Sequence, residues 1–364
     1  MTMPDWITVD FFCTTWMRIH MKNTAVEQDS IMEQSSVACD KTTQPCSQYV
    51  PIDVNRVIDE FKKEHVKTNE LYVYCNVDDE PLVMKVLSKH GLTLYFNENV
   101  LNDLRGKTLV HYKSNTLPGD ISAMLVRATE CGAYVEPLVS YIDRRFGLTE
   151  VELLHSGYFL HMKAFSILSS AFNRIIKRGL DLIAASALAL IAIPICVLTA
   201  IAIKLESPGP IFYRQARVGQ FNREFDVIKF RSMRNDAEKN GAQWASKNDA
   251  RVTRIGAFIR KTRIDELPQL INVFKNEMSL VGPRPEREIF IKELEVVIPY
   301  YRFRHAVKPG ITGLAQVSYP YGASIEDAVW KHKYDIYYIK HQNIWLDIKV
   351  LFLTVKTVLF GMGR

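Results

Sequence analysis

The sequence has no C-x-x-C pair and no cysteine spacing suited to a metal. Its six cysteines (Cys13, Cys39, Cys46, Cys75, Cys131 and Cys196) are scattered, one of them inside an apolar run, which speaks against a disulfide framework and predicts free thiols in a reducing compartment. The first 30 residues contain no seven-residue apolar core: Asp5, Asp10 and Arg18 interrupt Trp6, Phe11, Phe12 and Trp16, so no secretory signal is expected. No G-x-G-x-x-G follows a predicted strand, which removes the argument for a dinucleotide site. Charge of one sign is not in large excess either. A net +6 over 364 residues gives no ground for nucleic acid as a partner, although it permits a membrane surface or a nucleotide.

With 48% hydrophobic and 24% charged residues, the chain can bury a sizeable core, and its length suggests two or three domains. Residues 1–50, rich in Ser, Thr, Gln and Asn from about residue 20, read as a flexible lead-in, with order beginning near Ile52. From Leu71 onward, "LYVYC", "LTLYF", "TLVHY" and "AYVEP" alternate with helical periodicity over 79–90 and 119–131. This predicts a small α/β domain over 51–165 with a partly parallel sheet. It reads as a regulatory or packing module without chemistry of its own.

Residues 174–206 change character. Leu182 to Ile203 are 22 residues without a charge, long enough to cross a hydrocarbon core of roughly 30 Å. Two features oppose a simple span. Pro194 sits mid-run and should bend the helix near Leu190. Basic residues also flank both ends, with Arg174, Lys177 and Arg178 before and Lys204, Arg214 and Arg217 after; if cationic flanks stay cytoplasmic, both ends belong on one side. A re-entrant helix broken at Pro194 satisfies both constraints. A true span and a buried core helix are the other readings, and the last suits so long a run poorly.

After a Pro/Gly turn, "SPGPIFYRQARVG" and "FDVIKFRSM" mix aromatics with Arg and Lys, as fits a surface where the chain leaves a bilayer. From Ala250 to Ile264 there are five basic residues and no acid; then Asp265 and Glu266 arrive together, with Pro268 behind them. In an arbitrary protein D-E-x-P is a helix start, because acids and Pro both suit a first turn. Here the neighbouring cations and the helix N-terminus should keep both acids ionised. An ionised Asp can attack phosphorus, and an ionised Glu can hold a hard divalent cation. Pro283 and Pro285 bracket Arg284, fixing the backbone of a residue whose guanidinium forks onto phosphate; alone, that is also a rigid turn with a surface Arg. "VKPGITGLAQV", at 307–317, reads as a turn leading to a strand. Trp330, Tyr334, Tyr337, Tyr338 and His341 recur at helical spacing and suit core packing. Ile344 to Phe360 is apolar but carries Asp347, Lys349 and Lys356, the pattern of a helix lying in a membrane interface.

The order of these features is specific: K-R-x-x-D before a Pro-broken apolar helix, S-P-G-P-I-F-Y, K-F-R-S-M, D-E-L-P-Q, S-L-V-G-P-R-P, K-P-G-I-T-G-x-A-Q-V, and D-I-Y-Y-I-K with a terminal L-D-I-K. Over about residues 174–364 the chain resembles the bacterial sugar transferases, monotopic polyprenyl-phosphate phosphoglycosyl transferases. "YPYGASIEDAVWKHKYDIYYIK" looks most like the exopolysaccharide-initiating, exosortase-associated branch. The resemblance implies an α/β N-terminal domain, a Rossmann-like remnant of a regulatory region over 51–165, ahead of a mainly helical α+β membrane catalytic domain. Its re-entrant helix would span 174–206 and its catalytic part 207–364, on the cytoplasmic face of the bacterial inner membrane. The implied reaction moves a phosphosugar from a UDP-sugar to polyprenyl (undecaprenyl) phosphate with Mg²⁺ or Mn²⁺, releasing UMP. By the same resemblance Asp265 attacks the sugar-linked phosphate, Glu266 is associated with the metal beside it, and Arg260, Arg284 and Lys229 hold phosphates. Ile193, Asn276, Glu277, Leu314 and "SYPYGAS" depart from the family pattern (a Ser, a Gly-Asp, a Trp and a Gly-Arg-Asn turn, respectively), and the last puts the sugar contacts in doubt. Two rivals stand beside this reading: a catalytically silent scaffold that recruits assembly partners through residues 52–165, and direct transfer in one ternary complex. A homodimer is compatible with an N-terminal module whose task is contact.

Overall fold

Short Val, Leu and Tyr runs buried on both faces make the first sheet. In the computed structural model, which describes residues 69–98, 107–160, 170–237, 249–319, 322 and 324–359, strands β1 (Glu70–Tyr74), β2 (Thr93–Phe96), β3 (Thr108–His111) and β4 (Tyr134–Pro137) form one sheet in the order β2-β1-β3-β4. Every pairing in it is parallel, so the expectation of a partly parallel sheet gives way to a wholly parallel one. Leu71, Val73, Leu109 and Val110 are fully buried, as strands covered by helices on both sides require. Helix α1 (Glu80–Leu87) and helix α3 (Leu138–Phe146) cover one face, while α2 (Gly119–Glu130) covers the other with Leu125 and Ala128. The lead-in expected over 1–50 and the onset of order at Ile52 lie outside the described residues.

The core on the α1/α3 side does not stop at the sheet. Val73, Val110 and Leu138 belong to one apolar cluster with Val273, Leu280 and Tyr338 of the C-terminal half, and all described residues fall within one compact unit, Glu60–Arg364. The C-terminal half begins with helix α4 (Ala171–Glu206), 36 residues with Ser170 accepting a capping bond from the Asn173 amide; at 1.5 Å per residue it is about 54 Å long. Among the described residues it is the one helix long and apolar enough to cross a membrane. The bend expected at Pro194 does not end the helix, which stays helical on both sides of that exposed residue; a single lost backbone bond is tolerated inside an apolar helix.

Helix α4 buries a narrow stripe, Lys177, Asp181, Ala185, Ala192, Thr199 and Ile203, and leaves Leu190, Ile191, Leu198 and Leu205 exposed. Both ends of the stripe are tied to the same body. Near the start, Lys177 pairs with Asp347 at 2.9 Å, Arg178 donates to the Val273 carbonyl, and Asp181 accepts from Ser279 Oγ and the Leu280 amide. Near the end, Arg231 donates to the Ile203 and Ser207 carbonyls, and Glu206 accepts from the Ile255 amide.

The mixed aromatic and basic segments after the helix form an antiparallel hairpin, β5 (Phe212–Val218) with β6 (Glu224–Phe230). Helix α5 (Arg254–Lys261) follows, then a 3₁₀ turn (Ile264–Gln269) and α6 (Leu270–Phe274). Strands β7 (Ser279–Val281) and β8 (Gly310–Thr312) pair in parallel, flanking α7 (Glu288–Val297). "GLAQV" then turns helical as α8 (Leu314–Ser318) rather than continuing the strand. Helix α9 (Ile325–His341) carries the predicted aromatic core, with Tyr334 and Tyr338 buried. Helix α10 (Ile344–Leu359) exposes Ile344, Trp345, Ile348, Phe352 and Val355 on its surface. Asp347, read in the sequence as a charge at a membrane interface, is buried and bonded to Lys177, Tyr338 and Gln342.

Candidate active site

Asp265 and Glu266 stand in the 3₁₀ turn between α5 and α6, and both are buried. The turn is entered through Arg263, which adopts the left-handed conformation (φ +60°), uncommon for a non-glycine residue. The turn packs against β6, and Asn272 fixes that contact. Its fully buried side chain accepts from the Ile228 amide at 3.1 Å and donates to the Asp226 carbonyl at 2.8 Å and to Glu277 at 2.7 Å. A strand edge next to Lys229 is thereby pinned to the helix that follows the acid pair. Gly256 allows α5 to close on the same region, since a Cβ there would meet the Ser232 carbonyl at 2.0 Å.

Four of the five predicted site residues meet around the turn in direct contacts or across a short distance. Glu266 Oε1 accepts from Arg284 Nη2 at 2.8 Å and lies 3.6 Å from Lys229 Nζ. Asp265 is the neighbour of that cluster, and its Oδ1 is buried without a hydrogen-bond partner among the described residues. Arg260, at the end of α5, lies close enough for its charge to favour the ionised form of Asp265. Pro194, predicted as the break in the long apolar helix, is on α4 and lies outside this cluster.

The two carboxyls are driven in opposite directions. Burial, reinforced by the negative charge of Glu266, pushes the Asp265 carboxyl up to about 6, against the pull of Lys229, Arg260 and Arg263. Burial also raises Glu266, but Arg284 and Lys229 outweigh it and hold that carboxyl well below the usual carboxylate range. The same contact pushes the Arg284 guanidinium up, while burial pushes the Lys229 ammonium down. The expectation that both acids are firmly ionised therefore holds for Glu266, whereas Asp265 titrates closer to neutrality.

The loop that carries Arg284 is held by its backbone. Four consecutive carbonyls are each hydrogen-bonded: Pro283 from the Gly310 amide, Arg284 from Arg304, Pro285 from Arg217 and Glu286 from the Val218 amide. Arg304 and Asn272 were not singled out in the sequence, and Arg217 was read only as a cation flanking the apolar run. Each acts through a partner distant along the chain, and the one local signal was Asn272 in the otherwise apolar "LINVF".

The donor set suits a hard divalent cation in part. Among the described residues no three or more His, Cys, Asp or Glu side chains cluster to hold a metal, but Asp265 offers an unpartnered buried oxygen beside a second carboxylate. Two carboxylates with substrate phosphates and water completing an octahedron is the pattern magnesium takes. A groove of about 470 Å³ runs between α4 and α5, lined by Ile195, Leu198, Ile255, Phe258 and Ile264 together with Arg254; Ile264 immediately precedes Asp265. The departure at "SYPYGAS" is described in part, since residues 320, 321 and 323 lie outside the described residues. Asn276, where the family pattern has Gly, adopts φ +68°, a conformation that Asn tolerates better than most side chains.

Comparison with known proteins bears on this arrangement. The sequence profile described as Bacterial sugar transferase matches residues 172–361. A UDP-N-acetylgalactosamine-undecaprenyl-phosphate N-acetylgalactosaminephosphotransferase of Aeromonas hydrophila is 40% identical over 279 residues, 77% of this chain and 63% of that protein. A UDP-glucose:undecaprenyl-phosphate glucose-1-phosphate transferase of Escherichia coli (strain K12) is 42% identical over 188 residues, 51% of this chain and 40% of that protein. Exopolysaccharide production protein PSS of Rhizobium leguminosarum bv. phaseoli is 39% identical over 188 residues, 50% of this chain and 94% of that protein. The chain thus spans 63% and 40% of the length of the first two.

Proposed function

The chain belongs to the Bacterial sugar transferase family, and we propose that it transfers a phosphosugar from a UDP-sugar to a polyprenyl phosphate such as undecaprenyl phosphate, as a membrane step of exopolysaccharide or related glycoconjugate assembly. The observation that carries the reading is the opposed state of the acid pair: one carboxylate neutralised by Arg284 and Lys229, its neighbour buried with an oxygen that has no hydrogen-bond partner among the described residues.

In this mechanism Asp265 is the nucleophile. Its carboxylate oxygen bonds to the sugar-linked phosphorus of the UDP-sugar, the bond from that phosphorus to the bridging oxygen breaks, and UMP leaves with the electron pair. A phosphosugar ester on Asp265 remains. A phosphate oxygen of the lipid then attacks the same phosphorus and frees the Asp265 carboxylate, giving polyprenyl diphosphate sugar. Arg284, Lys229 and Arg260 would bind phosphate oxygens, so that the barrier falls chiefly through positioning and charge neutralisation. Glu266 and Asp265 would hold Mg²⁺ or Mn²⁺, which supplies positive charge against the diphosphate. The isoprenoid chain of the acceptor would lie in the groove between α4 and α5, whose lining is mostly apolar and includes Ile264, the residue before Asp265.

The membrane arrangement follows from α4. Support for a re-entrant or surface-lying helix, rather than a span, comes from the hydrogen bonds that tie both its ends to one folded body. The exposed apolar residues of α10 would rest in the same interface. We place the catalytic half on the cytoplasmic face, where UDP-sugars are made.

The deciding experiment measures UMP release from a panel of UDP-sugars by the full chain with polyprenyl phosphate, and looks for a phosphosugar adduct on Asp265 when the lipid is withheld. Release with an adduct supports the two-step path; release without one, dependent on both substrates together, favours direct transfer. No release from any UDP-sugar favours the scaffold reading.

A further inference from the structure

Helix α9 is gripped from two directions. On one side the α/β module clamps it: Glu150, fully buried, takes Lys333 Nζ at 2.9 Å and His90 Nε2 at 2.9 Å, and the Thr149 amide donates to the Lys333 carbonyl at 3.3 Å. Two helical turns further, Asp143 of α3 pairs with Lys340 and lies 2.9 Å from His341 Nε2, while its other oxygen accepts from Thr149 at 2.7 Å. On the other side, two residues along from Lys333, Asp335 accepts from Arg304 Nη2 at 2.8 Å. The same nitrogen of Arg304 reaches the Arg284 carbonyl at 3.0 Å, and Arg284 in turn meets Glu266. Lys333, Asp335 and Arg304 are all almost fully buried.

Such a chain is costly to build. Each buried charge must be desolvated, and a hydrophobic contact would hold two domains together at least as well. What a buried ion pair adds over an apolar one is direction, because each partner must sit at hydrogen-bond distance from a particular atom. Two of the pairs here occupy neighbouring positions on one helix and face opposite neighbours, so the axial position of α9 sets where Arg304 can stand.

We propose that the α/β module is a positioning element for the transfer site, holding α9 through Glu150–Lys333 and Asp143–Lys340 so that Asp335 and Arg304 fix the backbone of the phosphate-binding residue Arg284. Glu150, Lys333, Asp335 and Arg304 are positioning residues that touch no substrate. The inference rests on the reading in which Arg284 holds a substrate phosphate.

The test is kcat/KM for UMP release by the full chain. Lys333→Met should lower it about tenfold, and Lys333→Arg, which keeps the charge, should return it to within about threefold of the wild type. In an Arg304→Lys background, where the link is already loosened, Lys333→Met should cost less than about threefold more, since independent lesions at this separation multiply and coupled ones do not. If a Lys333→Met chain fails to fold, judged by thermal unfolding, Glu150→Gln removes the same ion pair without changing shape and carries the comparison. Undiminished kcat/KM after removal of the pair, no rescue by Lys333→Arg, or the same tenfold loss in both backgrounds would overturn the proposal. A wild-type chain active on a UDP-sugar separates that result from a failure of the transferase reading; a wild type silent on all of them would sink both.

Discussion

Asp265 and Glu266 are adjacent in the chain, yet the protein treats them as different chemical groups. The cations face Glu266: Arg284 at 2.8 Å and Lys229 at 3.6 Å. Asp265 keeps a buried oxygen with no donor among the described residues and a carboxyl raised to about 6. Because the raised group lies above its ordinary value of 3.8, the folded state favours its protonated form. Folding free energy from this group is therefore lost as pH rises through the interval from about 4 to 6, while nucleophile is gained. For the free enzyme, kcat/KM for UMP release should fall about tenfold per pH unit below pH 6; a flat profile down to pH 5 would remove Asp265 as the attacking group. Asp265→Asn should abolish release and yet raise the unfolding free energy at pH 7.5, by up to about 3 kcal/mol, an advantage that shrinks toward pH 4. Thermal unfolding at the two pH values checks this, and a less stable Asn variant at pH 7.5 would show that the Asp265 carboxylate is stabilised rather than strained by its surroundings.

At the scale of elements, the loop bearing Arg284 depends on how closely β7 and β8 approach. A Cβ on Gly310 would meet the Gly282 amide nitrogen at 2.1 Å and the Thr312 carbonyl at 2.3 Å, backbone atoms that cannot swing away. Gly310→Ala should cost about 3 kcal/mol or more in unfolding free energy, and it should depress UMP release beyond what lost stability explains, because Gly310 also donates to the Pro283 carbonyl. The groove between α4 and α5 makes a separate prediction. Phe258→Ser, in an exposed position, should raise KM for a long-chain polyprenyl phosphate about fivefold while leaving KM for a short-chain analogue within about twofold; equal effects on both would move the isoprenoid chain elsewhere. Much at this scale was legible from the sequence. The strands of the α/β module and its helices α1 and α2 follow from local alternation, the acid pair and Arg284 from residue type and spacing, and Lys229 from the family resemblance alone, while α3 was not foreseen. Asn272, Arg304, Asp335 and the Glu150–Lys333 pair were not legible. Their partners lie 31 to 183 residues away, and a polar residue on a helix looks the same in sequence whether it meets water or a distant carboxylate. Asp347 failed for that reason: its buried partner, Lys177, is 170 residues earlier.

For the whole molecule, the decisive geometry is that of a long apolar helix whose two ends grip one body. A bilayer core is roughly 30 Å thick, and α4 at about 54 Å could cross it. Crossing would carry the Lys177 turn and the Glu206 turn to opposite faces. Lys177 is paired with Asp347 of α10, and Asp181 with Ser279 of β7, while Glu206 caps α5 and Arg231 binds the Ile203 carbonyl. These partners all belong to the same compact unit, so a span would have to pull one set apart, leaving buried charges such as Asp347 without their cations, at about 3 to 5 kcal/mol for each broken pair. Lying along the membrane surface costs none of this, and it lets the exposed apolar residues of α4 and α10 meet lipid together. Single cysteines at the exposed positions 171 and 216, as Ala171→Cys and Ala216→Cys, should therefore both be modified by a membrane-impermeant thiol reagent in inside-out vesicles and both be protected in right-side-out cells, with the label located by mass spectrometry. Modification of one from each side would make α4 a true span and require the body seen here to open at one of its two anchors.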